Sequence, residues 1–430
     1  MSRRKRLMAY AVPLAIVVGI STTAYADDND SRGDEQVVMK KQTINVGGQG
    51  LGAFDISFVD PRLELYILAD RTNASVDLVD SEKARFLGRI GAKCPTGNPA
   101  PHFCFQGVVL KPDGTANNAL SGPDGDVIVD HKEIWAGDGD SRIKVIDLAT
   151  QSFETTISTG GQFRVDEMAY DSRDHLLAAA NNADTPPFVT VFDTNAKTIK
   201  GKLVFQTGSA NANVDAENGI EQPQWSRDTG MFYVSVPQVG TDASVGGVSV
   251  IDPKTLAVTG TFLVKNCSPA GLAIGPNHEA LLGCSAAFGT PATTQSVIID
   301  LTSTDFTHVD GAVVAKVPIG GSDEVWYDAG TNHYFLAARS NTTAKGTPAP
   351  ILGVVDARSH RLDQSEPSST SSHSVAADRF SHLVFLPVGL VPANATTPDP
   401  NNPCPKTGCI AVYKAHPDQN HSNEFAGMDH

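Results

Sequence analysis

Nine residues combine acid, amide and imidazole chemistry in one recurring setting. Asp55, Asp126, Asp166, Glu167, Glu221, Gln222, Asp323, Glu324 and His373 stand at or near the start of short apolar runs. Those runs read DISFVD (55–60), GDVIVD (125–130), DEMAYD (166–171), EQPQWS (221–226), DEVWYD (323–328) and HSVAAD (373–378). A fold that gathers these starts sets carboxylates side by side, and carboxylates without cations repel one another. Such a ring suits a hard cation such as Ca²⁺, which takes about six to eight oxygen ligands. It equally suits a small polar ligand, with Asp126, Asp166, Glu221, Gln222 and the nearby Arg339 as binding groups. His373, the one histidine in the set, and Glu324 are the candidate general bases. A wet channel that merely solvates all of them is the competing structural reading.

What must position these residues is a repeat. Seven apolar strands end in, or next to, an acid: VDLVD (76–80), KVID (144–147), VTVFD (189–193), VSVID (248–252), SVIID (296–300), LGVVD (352–356) and IAVYK (410–414), the last with Lys414 in place of the acid. A seventh upstream run, AGLAIG (270–275), completes the set that begins with DISFVD, and the two series stay in phase. Successive copies lie between 46 residues (147 to 193) and 67 residues (80 to 147) apart, the spacing of a four-stranded blade with variable loops. Strand, turn, strand, loop, strand and outer strand make a meander that cannot bury its faces alone, so seven copies stack into a ring. The chain is expected to be all-β: a seven-bladed β-propeller of four-stranded antiparallel blades. Outer strands are expected at 85–90, 153–158, 200–206, 258–264 and 315–319. Blade seven has none after Tyr413, whereas QTINV (42–46) precedes blade one, so an N-terminal strand is expected to close the ring and remove its open edge. In this geometry the inner-strand starts and the loops after the second strands, among them 70–73, 137–141, 181–184 and 339–341, share one mouth.

Residues 1–26 read as a signal peptide: Arg3, Arg4, Lys5 and Arg6, then an apolar stretch from Leu7 to Ile20, then Ala24-Tyr25-Ala26. A periplasmic or secreted protein follows, with a disordered acidic leader (27–41), the propeller (42–414) and a disordered tail (415–430). Export permits disulfides, and the six cysteines fall in close pairs: Cys94 with Cys104, Cys267 with Cys284, Cys404 with Cys409. The net charge of −15 argues against nucleic acid and anionic membrane as partners, and no membrane span remains after processing. A monomer is expected. There is no Gly-x-Ser-x-Gly elbow and no Cys-x-x-Cys-His. Trp135, Trp225 and Trp326 lie in blade strands and read as packing between blades.

The segments SRIKVIDLATQ and GGVSVIDPKTLAVTGTF resemble the YVTN-type repeats of exported seven-bladed propellers, over residues 40 to 414. That family includes surface-layer proteins, binding proteins and oxidoreductase subunits. A more distant similarity is to calcium-dependent lactonases of the gluconolactonase and senescence-marker type. It implies a metal at the channel mouth held by Asp55, Glu167, Asn182 and Asp323. Three functions are therefore expected in order: an exported propeller that binds a small polar or protein ligand at an acidic mouth; a metal-dependent hydrolase of lactones or esters, with Ca²⁺ or another divalent ion; and a scaffold for an envelope protein, with the insertion at 93–121 as a contact.

Overall fold

The computed structural model describes residues 36–95, 103–392, 395 and 399–416. Seven four-stranded antiparallel sheets stand in chain order. Their inner strands are Ser57–Asp60, Asp126–Val129, Met168–Asp171, Pro223–Ser226, Pro269–Ile274, Val325–Asp328 and Ala376–Asp378. The signal segment, residues 27–35 of the expected leader and residues 417–430 of the expected tail lie outside the described residues.

The aspartates that revealed the repeat are turn caps. After the third strand, the side chain of Asp80 accepts the Lys83 amide at 2.8 Å, Asp147 that of Thr150 at 2.7 Å, Asp252 that of Lys254 at 2.8 Å and Asp300 that of Thr302 at 2.7 Å. The upstream series does the same one turn earlier: Asp171 accepts the Arg173 amide at 2.8 Å, and Asp378 that of Phe380 at 2.9 Å. A short side-chain oxygen that binds the backbone two or three residues on fixes a tight turn. In six blades the third and outer strands slip register just before that aspartate, between Leu78 and Val79, Val145 and Ile146, and the matching pairs. This bulge strengthens the twist each blade needs to fit its neighbour.

Burial follows position in the blade. The second strand Leu65–Asp70 and third strand Ser75–Asp80 are buried throughout, whereas the outer strand Arg85–Ile90 is half exposed. Neighbouring blades share one core: Val59, Tyr66, Leu68 and Val79 of blade one meet Ala376, Phe385, Ile410 and Val412 of blade seven. The ring closes as the sequence implied, by Val38–Ile44 pairing with Cys409–Ala415. This strand begins at Val38 rather than at Gln42, so the last residues of the expected leader belong to the sheet. Outer strands also occupy Thr198–Val204 and Val313–Val317, each two residues earlier than expected, and blade six carries an unforeseen one, Leu362–Pro367.

All three expected disulfides form. Cys267–Cys284 joins the strands Pro269–Ile274 and Glu279–Cys284 at their adjacent ends, Cys94–Cys104 closes a loop within the insertion, and Cys404–Cys409 anchors the last long loop.

Candidate functional site

The channel has two ends with different chemistry. At the end where the inner strands begin, acids meet arginines. Arg71, from the loop after Leu65–Asp70, bonds through Nη2 to both Asp55 and Asp124, and donates from Nε to Asp124 at 2.8 Å. Arg164 pairs with Asp166 at 2.7 Å and Asp55 at 3.4 Å, and donates to Asn182 at 3.2 Å. Asn182 in turn donates to Glu221 at 3.4 Å. Arg339 reaches Asp323 at 2.5 Å. The His373 ring stacks on Phe54 at 4.7 Å, its Nδ1 lying 3.8 Å from both Asp55 and Asp323.

These contacts set the charges. Burial would push Asp55 up, but Arg71 and then Arg164 hold its carboxyl below the usual range. Burial pushes Asp124 well above that range against the pull of both arginines, and raises Asp166 to about 6 and Glu221 to about 8. His373 falls to about 4, through burial and then the Arg339 charge, so its imidazole is neutral at pH 7.

Glycine makes the close approach possible. A Cβ on Gly125 would lie 2.0 Å from the Asp166 carbonyl oxygen, and one on Gly137 would lie 2.1 Å from that of Val165. Blade two is thereby pressed against the backbone that carries Arg164 and Asp166.

The other end is open. A cavity of about 700 Å³ runs from Asp126, Glu167, Gln222 and Glu324 to the turns after the inner strands, where Arg62, His131 and Arg379 stand. Its wall includes Phe58, Tyr170, Trp225, Trp326 and Tyr327. Asp126 is 2% exposed and neither carboxyl oxygen has a hydrogen-bond partner; Glu167 is 5% exposed and its Oε2 has none. Glu324 accepts bonds from the Ser374 hydroxyl and, at 3.2 Å, from the Val375 amide. Burial pushes all three acids well above the usual carboxylate range. Gln222 is occupied as a strut between blades, its Oε1 accepting the Leu272 amide at 2.7 Å.

The residues singled out in the sequence thus divide. Asp126, Glu167, Gln222 and Glu324 line the cavity, whereas Asp55, Asp166, Asn182, Glu221, Asp323, Arg339 and His373 belong to the arginine end. The expected bases His373 and Glu324 touch through the backbone, the Glu324 amide donating to the His373 carbonyl at 3.1 Å, and their side chains serve different ends. Nor do the four expected metal ligands form one shell: Asp55 and Asp323 are held by arginines, Asn182 by Arg164 and Glu221, and Glu167 lies in the cavity wall. Among the described residues, sets of three acid or histidine ligand atoms within 4.8 Å occur at His333, Asp356 and Asp363 and at Glu64, Asp80 and Glu82, away from the channel. All three tryptophans pack against the cores shared between blades, as expected, and Trp225 and Trp326 also line the cavity. Arg164 and Asp124 were missed. Asp124 stands between the insertion 93–121 and the inner strand Asp126–Val129, and Arg164 stands two residues before the run that begins at Asp166, so their positions alone carried the signal.

Fold and site together define a seven-bladed β-propeller with a polar channel, open at one end and filled by ion pairs at the other. No family model and no curated protein matches the chain. Solved structures do. A chain in "Structure of U3-55K" is 12% identical, with a TM-score of 0.56 over 88% of this chain and 98% of that one. A chain in "Crystal Structure of Mitotic Checkpoint Complex" is 13% identical, with a TM-score of 0.52 over 96% and 99%. At these identities the likeness concerns the fold alone.

Proposed function

We propose that the protein is an exported, periplasmic or secreted, propeller that binds a small polar ligand inside its channel, admitted through the mouth formed by the turns after the inner strands. The carrying observation is the cavity of about 700 Å³, whose volume suits a small molecule and whose wall combines aromatic rings with buried, unpartnered carboxyl oxygens. Export is supported by the signal-like segment and the three disulfides, and no helix among the described residues is long and apolar enough to cross a membrane. The YVTN-type resemblance is compatible with this reading, since that family includes binding proteins.

The test is a screen of small sugars, acids, amines and alcohols by thermal shift and tryptophan fluorescence, with Trp225→Phe and Trp326→Phe to locate the signal. A compound that shifts both readouts in the wild type, and whose fluorescence response falls in the variants, supports the reading. Turnover of a lactone that disappears with chelator would instead favour the metal-dependent hydrolase. Silence towards every compound, with a stable complex formed with an envelope protein, would favour the scaffold.

A further inference from the structure

We propose that the channel ligand is an organic cation: an amine whose ammonium group seats among Asp126, Glu167 and Glu324 and whose apolar body lies along Tyr170, Trp225 and Trp326. The inference rests on the ligand-binding reading above and narrows it to a chemical class.

The first argument is the contrast between the two ends of one channel. Asp55, Asp124, Asp166 and Asp323 each have a guanidinium within 3.5 Å. Asp126, Glu167 and Glu324 have no cationic side chain in an ion pair among the described residues, and neither carboxyl oxygen of Asp126 has a hydrogen-bond partner. A buried carboxyl group without a partner is costly, and an entering cation would supply the missing one. Second, size and spacing argue against a bare ion. The cavity is large enough for a small organic molecule, and these three acids do not form a set of ligand atoms within 4.8 Å of one another. Third, the route in passes aromatic faces, which attract cations through the ring quadrupole. Arg173 already lies over Trp225 at 5.3 Å from the ring centroid. Charges at the rim are mixed: Asp60 bonds to His131, Asp130 accepts from Tyr170 at 2.6 Å, and Arg62 and Arg379 stand beside them. Selection therefore falls to the deep acids rather than to the rim.

The experiment compares three amines (phenethylamine, spermidine and choline) with the neutral isostere 2-phenylethanol and with CaCl₂, on the mature full chain. Binding is read by tryptophan fluorescence and thermal shift, in the wild type and in Glu167→Gln, Asp126→Asn and Trp326→Phe. At least one amine should raise the melting temperature and bind about tenfold or more tightly than 2-phenylethanol, the ratio expected for one charge-assisted contact. Glu167→Gln or Asp126→Asn should lower that affinity by a similar factor. Both replacements are near-isosteric and remove an unpartnered acid, and circular dichroism confirms that each folds; either one suffices for the test. If 2-phenylethanol binds as well as every amine, or if both acid variants keep full amine affinity, the cation inference fails while the channel remains a binding site. A response to CaCl₂ alone replaces the amine by a metal. Silence towards all probes, with the broader screen also silent, removes both readings.

Discussion

Replacing Arg71 with methionine keeps much of the side-chain volume and removes the charge that joins Asp55 to Asp124. Both partners are buried, with 6% of the Arg71 side chain and none of the Asp124 side chain exposed, so solvent gives little relief. Breaking a buried pair by deleting one partner costs about 3–5 kcal/mol, because the remaining charge stays buried and uncompensated. Arg164 still lies 3.4 Å from Asp55 and 3.9 Å from Asp124 and takes over part of the task, which places the expected loss near about 3 kcal/mol. For a chain of this size that is a fall in melting temperature of about 4 °C. The loss should depend on pH in a defined direction. Burial already raises Asp124 well above the usual range while Arg71 opposes it. Without Arg71 the folded-state value climbs further, so the folded protein holds that proton over a wider range than the unfolded chain. Stability then goes on falling to a higher pH than in the wild type. The penalty should be larger at pH 8 than at pH 5. Urea denaturation at both pH values measures it, and the double variant Arg71→Met, Asp124→Asn should recover about 1–3 kcal/mol through the coupling of the pair. A penalty below about 1 kcal/mol, equal at both pH values and uncoupled from Asp124, would refute the claim that this pair holds the closed end of the channel.

Lys144, fully buried between Asp138 at 3.4 Å and Asp140 at 2.7 Å, should cost about 3–5 kcal/mol on replacement by methionine; urea midpoints, with Asp138→Asn as partial rescue, check this. Burial, then Asp70, push Asp77 up to about 9 against the pull of Arg89, so the folded protein retains a proton that the unfolded chain loses from about pH 4 upward, and this group lowers stability as pH rises to about 9. Asp77→Asn should remove that decline, at about 1.4 kcal/mol per pH unit as an upper limit, leaving acid stability little changed in pH-dependent melts. Gly125→Ala should destabilise by about 1–3 kcal/mol through its clash with the Asp166 carbonyl, seen as a lower denaturation midpoint. Deletion of residues 27–46 removes the strand Val38–Ile44 and leaves Cys409–Ala415 as an open edge, so aggregation by light scattering should rise, whereas deletion of 27–35 alone should not raise it.

The parts of the fold legible in the sequence were those fixed by local chemistry. Asp147 and Asp252 cap turns through bonds to residues two or three positions on, and such caps recur wherever a blade recurs. Outer strands were harder, because their residues face solvent. Leu362–Pro367 alternates between half-buried and exposed and reads LDQSEP, with no apolar run to mark it. Lys40 and Lys41, exposed on the closing strand, hid its start in the same way. Charged side chains on an edge are a common protection against unwanted pairing, and they also erase the hydrophobic pattern by which a strand is recognised.

The channel divides along a similar line. That acids gather there could be read from Asp55, Asp126, Glu167 and Glu324 at strand starts, because position in the blade determines which residues surround the axis. Which acids are neutralised was legible only in part: Arg71 and Arg339 stand in the loops 70–73 and 339–341 that the repeat places at this end, whereas Arg164 comes from a link between blades whose path carries no repeat. Arg164 belongs to the link between blades two and three, and Asp124 to the short stretch between the insertion 93–121 and blade two. Those irregular segments make one end of an otherwise repetitive channel a packed ion-pair network. At the other end the inner strands run on to the aromatic residues of the wall, and there no arginine among the described residues forms an ion pair with the buried acids. The asymmetry that gives the cavity a floor and a mouth therefore comes from departures from the repeat, and the residues to mutate first are those that the repeat places in the wall and the loops leave unpaired: Asp126 and Glu167.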